Sequence, residues 1–318
     1  MIKKFFVLIA LVGLLAGTSA VSQASEGGSS LYLMGTYNDF YMGVWGPPGI
    51  YLRNDVFLYS ARVDATPLGG RLAAGVRQNV WGNVAKVALV TKWKVLGGNY
   101  GAAVSIPVVY NAHVFGNGRF GNLAAFRGGN VGGLGDIAVF PFEINWVFGE
   151  NKYHHLTAAP GIRPPTGIYD RNRILNVGRN YWAFDNTVAY TWLNTKRGHE
   201  VSLNLGYILN TTNPATNYTT GNEFHMDWLA GQHFNERFAV GVTGYCYVQV
   251  THDQGPLPFH LRPEKFDGRG VGLGAAVLYT PKVFGKDVNL IAKYIHDLWD
   301  KRRWQGDLYM ISIALKML

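Results

Sequence analysis

From about residue 84 to its end, the chain repeatedly places large apolar and polar side chains on alternate positions. Between 84 and 95, Ala85, Val87, Leu89, Trp93 and Val95 share one face, and Lys86, Lys92 and Lys94 the other. Between 137 and 148, Phe140, Phe142, Ile144, Trp146 and Phe148 oppose Glu143 and Asn145. Trp182, Phe184, Val188, Tyr190 and Trp192 oppose Asp185, Thr187 and Thr191, and Val201, Leu203, Leu205, Tyr207 and Leu209 oppose Glu200, Ser202, Asn204 and Asn210. Phe224, Met226, Trp228 and Phe234 oppose Glu223, His225 and Asp227; Val240, Val242 and Val248 oppose Thr243, Tyr245, Tyr247 and Gln249. A period of two belongs to strands, whereas a helix would bring positions three and four apart together. The apolar faces hold bulky aromatics near segment ends, and the segments are longer than most soluble strands. A strand in lipid must pair every backbone polar group, which a closed barrel achieves. The pattern therefore predicts an all-β, antiparallel, up-and-down transmembrane barrel.

Connections between segments alternate short and long. Short periplasmic turns and long outer loops are the habit of outer-membrane barrels. The predicted strands cover 70–78, 83–95, 99–111, 134–148, 153–164, 180–194, 199–210, 220–234, 237–251, 270–280, 287–297 and 304–317. This gives about twelve strands, with ten to fourteen open. The barrel is expected over 69–318, with both of its ends periplasmic. Residues 25–68 precede it and contain Gly46-Pro47-Pro48-Gly49. They are expected to start on the periplasmic, short-turn side and to form a periplasmic or luminal plug, the alternative being one more hairpin at 31–42 and 55–64.

Composition sharpens this picture. The chain is 48% hydrophobic and 14% aromatic with only 15% charged residues, greasy for a secreted soluble protein but suited to a lipid-facing wall. Lys3 and Lys4 precede an apolar run from Phe5 to Ala16 and then small residues, with Ser22-Gln23-Ala24 as a cleavage site, so 1–24 reads as a cleaved signal peptide. The run is too short to span a membrane as a helix, which needs about 20 apolar residues. Export and scattered basic residues argue against nucleic acid as the partner of a chain with net charge +9. Cys246 is the single cysteine, so no internal disulfide forms.

Five stretches carry a family resemblance: Pro47-Pro48-Gly49-Ile50-Tyr51; Gly133-Leu134-Gly135-Asp136-Ile137; Pro165-Thr166-Gly167-Ile168-Tyr169 followed by Asn180-Tyr181-Trp182; Asn213 to Asp227, which includes Thr216, Tyr218 and Gly221; and Gly244 to Asp253. In this order they resemble the outer-membrane proteins of the MetA-pathway of phenol degradation family, SphA-like transporters similar to FadL-type channels. The resemblance implies uptake of hydrophobic or aromatic compounds in a Gram-negative outer membrane. It supplies no catalytic residues. The chain ends in Met317-Leu318 rather than the terminal Phe common in barrels.

Candidate chemistry lies on the lumen faces. Glu223, His225 and Asp227 are two residues apart on one strand, about 6.6 Å between successive members. They read as a hydrogen-bonded luminal network or a substrate path. Metal is not expected, because the outer two are too far apart. Lys86, Lys92 and Lys94 could pair across the lumen with Glu143, Glu200 and Glu223, or steer an anionic group of a substrate. Asp185, Tyr245, Tyr247 and Gln249 also face inward, and aromatic lumen residues suit flat ligands. Leu257 and Phe259 form an apolar island in a polar loop, a candidate outer capture site. No outward Ser–His pair and no G-x-S-x-G appears, so no enzyme activity and no cofactor is expected. The expected function is passive transport of small hydrophobic or aromatic compounds; a barrel without transport and an outer-membrane hydrolase are the alternatives. Expected partners are membrane lipid, lipopolysaccharide, the solute and the barrel-assembly machinery.

Overall fold

The computed structural model describes residues 26, 30–68, 71–115, 129–173, 175–256, 268–301 and 303–318. Twelve long strands build the wall: β1 (Gly49–Leu68), β2 (Arg71–Val95), β3 (Gly98–Phe115), β4 (Ala138–Phe148), β5 (His154–Arg163), β6 (Ala183–Asn194), β7 (His199–Asn210), β8 (Glu223–Asn235), β9 (Phe238–Gln249), β10 (Arg269–Tyr279), β11 (Lys286–Lys301) and β12 (Gln305–Lys316). Each pairs antiparallel with its sequence neighbours, and β1 pairs with β12, from Tyr51↔Lys316 to Arg62↔Gln305. The sheet has closed on itself, so no wall strand is left as an open edge. A short strand, Gly129–Leu134, prolongs the wall along β3, and no helix of membrane-spanning length and hydropathy occurs among the described residues.

Alternation along the wall follows the sequence. On β6, buried Ala183, Asp185, Thr187, Ala189 and Thr191 alternate with outward Phe184, Val188 and Tyr190. Trp81, Trp93, Phe142, Trp182, Phe234, Tyr279 and Tyr309 stand exposed on the outer surface, where lipid rather than protein would cover them.

The strand count agrees with expectation, but the first strands differ. Predicted strands 70–78 and 83–95 form the single 25-residue β2, which carries a register shift between Trp81 and Gly82. The irregularity is a bulge inside a strand, not a turn. The missing strand is β1, so the wall begins at Gly49 rather than at residue 69. Its inward face carries Phe57, Tyr59, Ala61 and Val63, all buried, and its outward face Val56 and Leu58. Across 56–59 both faces are apolar, and the alternation that marks the other strands is lost there. Phe140 is also corrected: it is buried and faces the lumen, not lipid. The β3–β4 register shifts between Gly101↔Glu143 and Ala103↔Phe140, so Phe140 and Glu143 share the inner face. Pro141, lying between them, cannot donate to the ladder.

Candidate functional site

The lumen is occupied by the residues ahead of β1. At the long-loop end, the Glu26 backbone N–H donates to Thr220 Oγ1, and Asn213 donates to the Glu26 carboxylate at 2.9 Å. Tyr32 donates its hydroxyl to Asp227 (2.7 Å) and stacks on His225, ring centroids 4.0 Å apart. Tyr37 donates to Asp185, and Arg163 donates to both Tyr37 (2.7 Å) and Asp185 (2.9 Å). Asp39 pairs with Arg53 and with Lys293 (3.2 Å). Nearer the short-turn end, the Tyr41 N–H donates to Glu200, which is also paired with His233 (2.7 Å). The Gly43 N–H donates to Thr191, and its carbonyl accepts from Asn145. The segment thus enters at the loop end, and its start is not on the short-turn side as the sequence had implied. It runs the length of the lumen before turning into β1 at Gly49.

Charge drives this seating. Carboxylates and cations without water need partners, and Asp39, Arg163, Asp185, Glu200, His225, Asp227 and Lys293 find theirs on the segment or a neighbouring strand. Phe40 adds an apolar anchor, buried with Leu229, Ala239, Ala276, Leu278 and Ile291. Gly206 leaves room for His225: a Cβ there would lie 2.7 Å from Cδ2 and closer still to the other ring atoms.

Polar clamping is concentrated on β5–β9 and β11. On the side of β1–β4 polar contacts are fewer, chiefly Arg53 to Asp39 and Asn145 to the Gly43 carbonyl, and a cavity of about 400 Å³ is left. Phe57, Val80, Val84, Pro107, Val109, Ala138, Phe140 and Met310 supply its apolar lining, and Leu31, Leu33 and Tyr37 close it from the segment. Lys86 and Arg53 enter the same space.

Most of the inward residues expected from sequence are on the lumen face. Asp185, Glu200, Glu223, His225, Asp227, Tyr245, Tyr247 and Gln249 are all buried there. His225 bridges Asp185 (3.2 Å) and Asp227 (3.3 Å), so the row on β8 forms one network with β6. Tyr245 donates to Asp297 (2.7 Å) and Tyr247 to Glu223 (2.5 Å). Of the expected cross-lumen pairs, Lys86–Glu143 is present at 3.7 Å. Lys92 and Lys94 do not join it. A register shift between Val90 and Lys94 ends the regular ladder, and both lysines are exposed at the hairpin end. Leu257 and Phe259 lie outside the described residues.

The family-motif residues tie the loop end together. Asp136 accepts the backbone N–H of Gly167 (2.8 Å) and of Arg179 (2.7 Å), while Thr166 accepts that of Ile137. The Gly135 N–H donates to Pro107, and Gly133 takes a φ of 137°, open to glycine alone. Pro165 lies exposed at the start of the same loop. Asn213 and Thr216 shape a turn, and Asp253 accepts from Tyr218, Gln249 and the Gly221 N–H. Burial, with the Glu223 charge nearby, raises the Asp253 carboxyl to about 7 despite those three donors. Pro47 accepts the Tyr51 hydroxyl beside Pro48 and Gly49, where the segment becomes wall. Sequence reading missed Tyr32, Tyr37, Tyr41, Asp39, Arg53 and Arg163. The spacing of three tyrosines around Asn38-Asp39 in an otherwise unassigned stretch was the available signal.

A closed antiparallel barrel with an aromatic outer surface and its own N-terminal segment in the lumen is an outer-membrane β-barrel. The chain belongs to the family described as "Putative MetA-pathway of phenol degradation", whose family model matches residues 62–313. Its fold is similar to that of the COG4313 outer membrane channel from Pseudomonas putida F1, at 14% identity and TM-score 0.67, covering 89% of this chain and 98% of that one. The transport unit of the autotransporter AIDA-I from Escherichia coli (10% identity, TM-score 0.48, 92% and 95% covered) and a Pseudomonas aeruginosa FadL homologue (11%, 0.38, 93% and 97%) are more distant. Comparison with curated proteins returns no match.

Proposed function

We propose that this barrel passes small hydrophobic or aromatic compounds passively across the outer membrane, after export and removal of residues 1–24. The observation that carries this reading is the two-sided lumen. Polar and ionisable groups hold the N-terminal segment chiefly against β5–β9 and β11, while the opposite side offers a mostly apolar space of about 400 Å³. That volume lies within the range of small-molecule sites. A wide polar pore would suit sugars and ions; a narrow space walled by Phe57, Val84, Pro107, Phe140 and Met310 suits flat apolar bodies. The family's description, which names phenol degradation, and the similar fold of the Pseudomonas putida outer membrane channel point the same way. The N-terminal segment acts as a plug that narrows the path, and lipid with lipopolysaccharide surrounds the wall.

The test uses the processed protein in proteoliposomes and planar bilayers. Uptake of a small aromatic solute should exceed that of empty liposomes. Deleting residues 27–46, which spares β1, should raise single-channel conductance. A folded barrel that moves no aromatic solute, with or without the segment, refutes the proposal.

A further inference from the structure

The apolar side of the lumen is interrupted by a row of donors. Arg53 on β1 is the ladder partner of Lys86 on β2, and Lys86 is the ladder partner of Ser105 on β3. Three donors therefore stand in one row across three adjacent strands, about 4.8 Å apart. All three line the cavity.

The row is more exposed to the cavity than the buried Arg163 and Arg303, whose residues are 9% and 4% exposed. Carboxylates near it are turned away or occupied: Asp39 and Asp55 accept from Arg53, and their side chains are 6% and 14% exposed. Glu143 is 9% exposed. The cations face the open space, with Arg53 at 25% and Lys86 at 35%. Lys86 has a single loose ion-pair contact, 3.7 Å to Glu143, and its ammonium sits 5.3 Å from the centroid of the Phe140 ring. An ammonium has three donors, and one long contact leaves two without a protein acceptor among the described residues. Around the row lie Phe57, Val84, Pro107, Phe140 and Met310.

We propose that the Arg53–Lys86–Ser105 row binds the carboxylate of a small amphipathic acid whose apolar body lies on Phe57, Val84, Pro107, Phe140 and Met310. This rests on the transport reading above and narrows it from hydrophobic compounds in general to hydrophobic monocarboxylates. A carboxylate offers two acceptor oxygens in a plane, enough to take the Lys86 ammonium and the Ser105 hydroxyl together, and charge-assisted bonds of this kind are the strong ones. Arg53, fixed by Asp39 and Asp55, contributes its field and holds the row in place. A neutral hydrocarbon would fill the same space and leave the ammonium without a counter-charge.

The experiment is calorimetric titration of the full processed chain in detergent with 3-phenylpropionate and with 3-phenylpropanol, which share one skeleton. The acid should bind about tenfold more tightly, the effect of one charge-assisted hydrogen bond. That advantage should shrink as sodium chloride is raised, since the row is partly exposed. In Lys86→Met the ratio should fall to near one, and Lys86→Arg should restore most of it. Equal affinities in the wild-type protein, or a ratio that survives Lys86→Met, overturn the carboxylate site and leave hydrophobic transport standing. Binding of neither compound overturns both. Should Lys86→Met fail to fold, judged by heat-modifiable migration on gels, the wild-type ratio and its salt dependence decide the question.

Discussion

Gly206→Ala is the smallest change that should unseat the N-terminal segment. Gly206 sits on β7 directly opposite His225 in the β7–β8 ladder. A methyl group there would occupy space already filled by the imidazole, 2.7 Å from Cδ2 and nearer to Nε2 and Cε1. Backbone on both strands is held by the wall, so the ring must move. Moving it breaks the contacts to Asp185 and Asp227 and the stack on Tyr32. Hydrogen bonds to charged groups contribute about 1.5–3 kcal/mol each. Part of that returns when the carboxylates find Arg163 and Tyr32 again, so about 3 kcal/mol is a fair net loss for the seated state. This corresponds to roughly a hundredfold increase in the unseated fraction.

The wall itself should survive, because the ladder at Gly206 is unchanged. In planar bilayers the variant should show frequent openings to the conductance of the segment-deleted barrel, which the wild type visits rarely. Gels should still show the heat-modifiable barrel. If Gly206→Ala conducts like the wild type while folded, the His225 network does not hold the segment, and the argument from luminal charge pairing fails.

Two further outcomes follow from the loop end. Asp136→Ala removes the acceptor of the Gly167 and Arg179 N–H groups, at a cost of about 3 kcal/mol for the local fold. Amide exchange across 164–180 should quicken about a hundredfold, and unchanged protection there would remove Asp136 as the tie. Asp253 sets a pH response: its carboxyl titrates near 7 in the folded loop cluster, whereas an exposed aspartate titrates near 4. Between those values the folded form holds the extra proton, so the cluster is most stable below about pH 4, weakens as pH rises through 7, and levels off above it. Exchange at Thr219 and Gln254, corrected for intrinsic rates, should show more opening at pH 8 than at pH 5; equal or greater protection at pH 8 would contradict the sign.

Legibility in the sequence varied around the barrel, and the variation has one cause. On β6–β9 the inner face carries Asp185, Thr191, Glu200, Asn204, Glu223, His225, Asp227 and Gln249, because those strands grip the segment. Opposed to lipid-facing aromatics, these residues give a strong period-two contrast, and the sequence assigned strands and faces there correctly. On β1 from Phe57 onward, and along β3 apart from Ser105, the inner face is largely apolar, since it walls the cavity. Phe57, Tyr59 and Ala61 alternate with Val56 and Leu58, and Ala103 and Pro107 with Ile106 and Val108. Apolar faces on both sides erase the alternation, so β1 was read as part of the plug. The segment itself was hidden for a different reason: its partners lie on β4–β9 and β11, distant in sequence, and no local pattern encodes that. Within an otherwise alternating barrel, the strands where the contrast fades are therefore those facing the solute space. Lys86 and Ser105 then stand out as polar residues on that apolar side, with no part in gripping the segment. On strands that grip the segment, most polar inner residues have a partner on it or on a neighbouring strand; in the apolar wall Lys86 lacks a close one, and a guest carrying an acceptor supplies it.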